Sequence, residues 1–159
     1  GAPNRHFKNK FDLLSALATD AYQGLSQATL DAAVDLKSND PWVRLNALAK
    51  GFMRWALSNR SSFIAIIPPD VGRYASEDLI AATHNFQTTV REHVRAAQDD
   101  GRYPEMPTEV VAMFTNAVPF GAVMFMMSPV FEKRFKTEDQ DQLVDQIAEL
   151  IVPIKGRLR

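Results

Sequence analysis

The chain has no cysteine. Disulfides, thiolate nucleophiles and cysteine-built zinc sites are therefore excluded, and the absence fits a cytoplasmic protein. It has only three histidines. His84 and His93 are nine positions apart, about half a turn out of phase on a helix, so they cannot grip one ion. No Glu-x-x-His pair is present to build a di-iron site. No metal and no other cofactor is expected. The seven glycines never cluster into a phosphate-cradling loop or a Gly-x-Ser-x-Gly elbow. Ser15 and Ser61-Ser62 have no partner nearby in sequence to make them nucleophiles. The chain does not read as an enzyme. Neither sign of charge dominates: 18 basic residues face 19 acidic ones, for a net charge of −1. Gripping nucleic acid needs an excess of Lys and Arg, so DNA binding by this domain alone is not expected. No segment alternates like a strand, and there is no internal repeat or low-complexity tract. No secretory signal pattern opens the chain, which begins Gly-Ala-Pro without Met and reads as a fragment, a processed chain or a cloning scar.

What is present is helix. At 159 residues the chain is one domain, large enough to bury a core without staples. Its centre is residues 110–131, which carry no charge between Glu109 and Glu132. On a helical wheel Val110, Phe114, Ala117, Val118 and Phe125 share one side. Phe120, Val123 and Met127 lie opposite with Asn116. A helix that is apolar all round has no face for water. The run reaches spanning length only by counting Thr115, Asn116, Pro119, Ser128 and Pro129, so no membrane is expected, and burial between two protein layers is the working reading.

The other helices have clear punctuation. Asn9 reads as an N-cap for a helix over 9–36, whose Leu14, Ala18, Ala21, Leu25, Ala28 and Ala32 make a narrow stripe suited to close packing. Asp40-Pro41 starts a second helix to Ser58. Its apolar face is Leu45, Leu48, Ala49, Phe52, Trp55 and Ala56, with Lys50, Arg54 and Ser58 opposite. A short helix or turn follows over 59–67. Residues 70–75 read as a loop and a candidate gate. Ser76 caps a helix that ends at Gly101, with Leu79, Thr83, Phe86, Val90, His93 and Ala97 on one stripe. Thr108 is expected to cap the uncharged helix, and Pro119 to kink it. Thr137 and Gln140 stand in capping-box spacing before a last helix with Leu143, Val144, Ile147, Leu150, Ile151, Ile154 and Leu158 on its apolar face. The fold class is all-α, a bundle of about five long helices and one short one.

The opening stretch Ala2-Pro3-Asn4-Arg5-His6-Phe7-Lys8-Asn9-Lys10-Phe11-Asp12-Leu13-Leu14 resembles the end of the DNA-binding head in the TetR family of bacterial transcriptional regulators. In that family an aromatic-x-His-Phe-x-x-Lys-x-x-Leu-Leu pattern leads from the recognition helix into a long connecting helix. Asn4 stands where the family usually has Tyr. Trp55-Ala56-Leu57-Ser58-Asn59 with Phe63 is similar to the family's Phe-Ala-Leu-x-x-Pro-x-x-Phe segment, with Arg60 where Pro is common. The resemblance implies that residues 1–10 are the remnant of a helix-turn-helix head and that residues 11–159 are the ligand-binding and dimerisation domain. It implies phosphate contacts from Asn4, His6, Lys8 and Lys10, and operator DNA as a partner through the missing head. It also implies that the last two long helices pair with their twins across a two-fold axis.

Two sets of site residues follow. Val118, Ala122, Phe125, Leu143, Ile147 and Ile151 are expected to form the shared face of a homodimer. Phe52, Trp55, Phe63, Phe86, Val90, His93, Met113, Asn116 and Phe120 are expected to converge on a small hydrophobic effector between the helices of one subunit, as ligand sites in bundles do. His93 and Asn116 would be its polar anchors. The competing functions are a helical small-molecule enzyme and a helical adaptor that binds a partner helix along residues 110–127.

Overall fold

The computed structural model describes residues 7–34, 36–67, 71–130 and 140–152. Among them there are six α-helices and no strand: α1 (Lys10–Val34), α2 (Pro41–Ser58), α3 (Arg60–Ala65), α4 (Glu77–Asp99), α5 (Thr108–Met126) and α6 (Gln140–Ile151). A single 3-10 turn, Val71–Arg73, precedes α4. The expected Thr137 cap and the apolar Ile154 and Leu158 lie outside the described residues.

Helix ends follow local chemistry. The Asn9 side chain accepts from the backbone N–H of Phe11 at 2.8 Å and of Asp12 at 3.0 Å. Asp40 accepts from Trp42 N–H at 2.8 Å, with Pro41 in the first turn where its missing N–H costs nothing. Ser76 accepts from Leu79 N–H at 3.3 Å. Gly101, at φ +97°, closes α4: its N–H reaches the Gln98 carbonyl, and the Arg102 N–H reaches back to Ala97. This is the paired C-terminal closure that favours glycine. Thr108 differs from expectation. It is the first residue of α5 rather than its cap, and Pro107 occupies the cap position with no side-chain bond.

α2 is the hub, packed against α1, α3, α4, α5 and α6. Its approach to α1 is close because the facing residues are small. A Cβ placed on Gly51 would lie 2.7 Å from Ala32 Cβ and 3.0 Å from the Ala28 carbonyl oxygen. The alanine stripe of α1 thus meets a glycine that has no room for a methyl group. The charged side of α2 is not left to water either. Lys50 Nζ lies 3.1 Å from Asp145, and Arg54 bonds Asp141 at 3.1 Å and Asp145 at 3.0 Å, which ties α2 to α6.

The end of α6 is held from within. Asn46 Nδ2 donates to the Val152 carbonyl at 3.0 Å, and the Arg102 guanidinium donates to the Ile151 carbonyl. Arg102 is 2% exposed and stacks 4.6 Å over the Tyr103 ring and 5.5 Å over Trp42. A cation at a helix C-terminus is favoured by the exposed carbonyls and the helix dipole. Burial pushes its pKa below the usual value, partly offset by Tyr103.

α5 presents three strips. Val111, Thr115, Pro119, Val123 and Met126 face inward. Met113, Asn116 and Phe120 turn toward the space between α2, α3 and α4. Val110, Phe114 and Phe125 turn outward, and Phe125 is 70% exposed. Among the described residues, the chain itself therefore buries only one side of the uncharged helix. α5 is long and apolar enough to cross a membrane, a criterion of length and composition that buried core helices also meet.

Candidate functional site

A chamber of about 450 Å³ opens between α1, α2, α3, α4 and α5. Its frame is aromatic. Phe63, fully buried, meets Phe52 edge-on with centroids 5.9 Å apart, and meets Phe120 at 5.5 Å. Such edge-on and tilted contacts hold rings in place beyond their area burial. Phe86 and Met113 complete the apolar wall, together with Leu25 and Ile66. Phe86 is held by the α4 stripe, which runs Phe86, Val90, Val94, Ala97 at helical spacing.

Polar groups are few, as expected of a small-molecule chamber. Asn116 donates its amide to the Ala112 carbonyl at 2.9 Å, which leaves Oδ1 free to accept. Tyr22 is hydrogen-bonded to Thr83, and burial raises its phenol pKa above the usual value, so it stays a neutral donor at pH 7. Gln87 adds an amide. At the rim Arg91 and Glu109 stand 3.9 Å apart, a loose and solvent-exposed pair.

Six expected residues line this chamber: Phe52, Phe63, Phe86, Met113, Asn116 and Phe120. Three do not. Trp55 lies one turn too far along α2 and packs on α1, where Gly24 leaves space for its indole. Val90 is 5% exposed and sits in the core below. His93 Nδ1 bonds the Thr89 carbonyl of its own helix at 2.9 Å. The buried register of α4 passes through Val94 instead, which puts His93 at the edge of the stripe. Tyr22, Leu25 and Ile66, like Gln87, Arg91 and Glu109, were not anticipated: Leu25 reads as part of the α1 packing stripe, and residues 59–67 only as a short helix or turn. Tyr22 alone, a hydroxylated ring in an alanine-rich helix, carried a signal.

The expected gate does not border the chamber. Tyr74 stacks on Phe11 at 5.7 Å, and the Ser76 N–H donates to Ser15 Oγ at 3.0 Å. Residues 73–76 instead line a wide, polar cleft beside the start of α1. Asp70 lies outside the described residues.

A second concave surface runs along the outer side of α5 and α6. Val118, Ala122, Phe125, Ile147 and Ile151 line it, with Phe114 and Leu150 beside them. Leu150 is 80% exposed. Ile151, at 2% exposure, is part of the chain's core and forms the floor. Leu143 is partly buried against the other core cluster and does not line the trough. Lys8 and Lys10 are exposed at the start of α1, whereas Asn4 and His6 lie outside the described residues. No three His, Asp or Glu side chains converge on a metal site among the described residues.

No curated protein matches the sequence. Among solved structures, a protein of unknown function from Rhodococcus sp. RHA1 superposes with a TM-score of 0.74 at 22% identity, covering 94% of this chain and 75% of that one. The TetR family transcriptional regulator PfmR from Thermus thermophilus superposes with a TM-score of 0.64 at 19% identity, covering 96% and 80%. At these identities the likeness is one of fold. The family model of the tetracyclin repressor-like C-terminal domain matches residues 45–151, most of the chain, and the chain belongs to that family.

Proposed function

We propose that this chain is the effector-binding and dimerising body of a transcriptional regulator. The observation that carries the reading is the aromatic chamber between α1, α2, α3, α4 and α5. Its volume and its mostly apolar lining with a few polar groups suit a small, flat, uncharged molecule. The family match supports the assignment, since such C-terminal domains typically bind effectors and dimerise and are generally not enzymes. The exposed apolar trough of α5 and α6 fits a second copy of the chain, because a two-fold contact places the same patch on both sides. Residues 1–10, with Lys8 and Lys10, would lead in from a helix-turn-helix head that reads operator DNA. Occupying the chamber would favour one of two spacings of the paired heads, by differential affinity alone.

The test has two arms. Sedimentation of residues 1–159 at micromolar concentration should give a dimer, and a monomer would remove the trough from the reading. The same residues should bind duplex DNA weakly and without sequence preference, whereas the protein carrying a helix-turn-helix head should bind a two-fold site tightly and with steep salt dependence. Tight operator binding by residues 1–159 alone would overturn the reading.

A further inference from the structure

The Thr29 hydroxyl is 1% exposed and has no hydrogen-bond partner among the described residues. Buried polar groups are almost always paired, and an unpaired one needs a reason. Thr29 lines a small void of about 20 Å³ next to the chamber, and Phe52, Phe86 and Asn116 line both spaces. The void also touches Thr115 and Pro119 of α5. Proline has no N–H, so the Thr115 carbonyl lacks its ordinary helical donor. The Asn116 orientation follows from its amide bond to Ala112, which leaves Oδ1 as an acceptor. Thr29, with its unpartnered hydroxyl, Thr115, whose carbonyl lacks its helical donor, and Asn116, with a spare amide oxygen, thus all line a space with room for about one oxygen-sized group. Among the described residues no titratable one lines it.

We infer that this void is the polar inner end of the effector chamber and that it takes a single uncharged hydroxyl carried on an apolar, ring-bearing molecule. The inference rests on the chamber being the ligand site. The excess of acceptors selects a group that donates: the ligand O–H gives its proton to Asn116 Oδ1 or the Thr115 carbonyl and accepts from Thr29 Oγ. An ether oxygen cannot donate and leaves the acceptors unpaired. A carboxylate would be desolvated with no cation to meet it. Recognition of a hydroxyl by buried partners is the kind that discriminates strongly against analogues without it.

Calorimetric titration of residues 1–159 with four matched probes tests this: 4-propylphenol, propylbenzene, 4-propylanisole and 4-propylbenzoate. The phenol should bind at least about tenfold more tightly than propylbenzene and the anisole, and the benzoate should bind most weakly. Thr29→Val keeps the shape and removes the group that donates to the ligand oxygen, so it should weaken phenol binding roughly three- to tenfold and leave propylbenzene unchanged, while Thr29→Ser keeps the parent affinity. Equal binding of phenol and propylbenzene by the parent protein would overturn the inference and leave the chamber as a ligand site. Phenol affinity unchanged in Thr29→Val would overturn it too, as expected if the void merely traps a water. Binding of none of the four would overturn both the inference and the chamber reading. The probe series on the parent protein decides the matter even if the valine variant does not fold.

Discussion

The two flanks of α5 are both mainly apolar but differ in shape and in polar content. The inner flank, Met113, Asn116 and Phe120, closes a chamber in which aromatic walls surround a few hydrogen-bonding groups. The outer flank, Phe114 and Phe125 with Leu150 of α6, borders a trough whose lining, among the described residues, carries no polar side chain. A concave space with fixed polar groups orients a small molecule. An open apolar strip offers area without orientation, and such strips on monomers are uncommon unless another protein covers them. Both flanks are apolar; curvature and the placement of a few oxygens differ.

That contrast can be broken from either side. The largest effect should come from Phe63→Ala, which removes the fully buried ring linking Phe52 and Phe120. Loss of a core phenylalanine costs about 3–5 kcal/mol, roughly 6–20 °C in melting temperature for a chain of this size. Sedimentation should still find a dimer wherever the variant is folded. A melt unchanged within a degree would show that the ring does not hold the chamber together.

Next, Phe125→Glu and Leu150→Glu place charge on the trough at side chains 70% and 80% exposed. Each change occurs twice across a two-fold axis, so the dimer should weaken by about a hundredfold or more with little change in helical content. Undiminished dimers at low micromolar concentration would show that the trough is not the interface.

A smaller effect separates Asn116 from His93. Asn116→Ala removes an acceptor from the chamber and should weaken 4-propylphenol binding about ten- to hundredfold, the cost of a lost buried hydrogen bond. His93→Ala should leave that affinity unchanged, because His93 bonds its own helix. Equal losses in both variants would place His93 back at the ligand. The smallest effect belongs to Asp145, which joins Lys50 and Arg54 across α2 and α6. Exposed pairs contribute about 0–1 kcal/mol, so Asp145→Ala should lower stability by no more than about 1 kcal/mol, and the difference should shrink in high salt. A loss of several kcal/mol in a denaturant titration would show that the two helices depend on these charges.

Helix starts and stops were legible because their causes are local. Asn9, Asp40, Ser76 and Gly101 act on backbone groups two to five positions away. The six chamber residues that were anticipated lie on strong apolar faces whose phase is set by 3.6 residues per turn. The misses arose where one residue of phase mattered. His93 and Val94 are neighbours, and sequence alone does not say which one a turn of α4 buries. Trp55 and Phe52 share a face of α2 but lie nearly a turn apart, and only Phe52 is level with the chamber. Lys50 and Arg54 read only as the side opposite the apolar face, because Asp141 and Asp145, which meet them, are some ninety positions away.

By itself the amino-acid sequence determined the all-α class, most helix boundaries, the alanine stripe that lets α1 approach a neighbour closely, and an uncharged helix with more apolar surface than one layer can cover. These follow from interactions within a turn or two, or from composition. Tertiary structure decided which strip of α5 enters the core, which faces a chamber and which remains outside. It decided that Thr29, inconspicuous in a polar-and-alanine stretch of α1, is buried without a partner beside Asn116 and Pro119. Both outcomes depend on how helices distant in sequence rotate against one another, and that rotation is set by the sum of all their contacts.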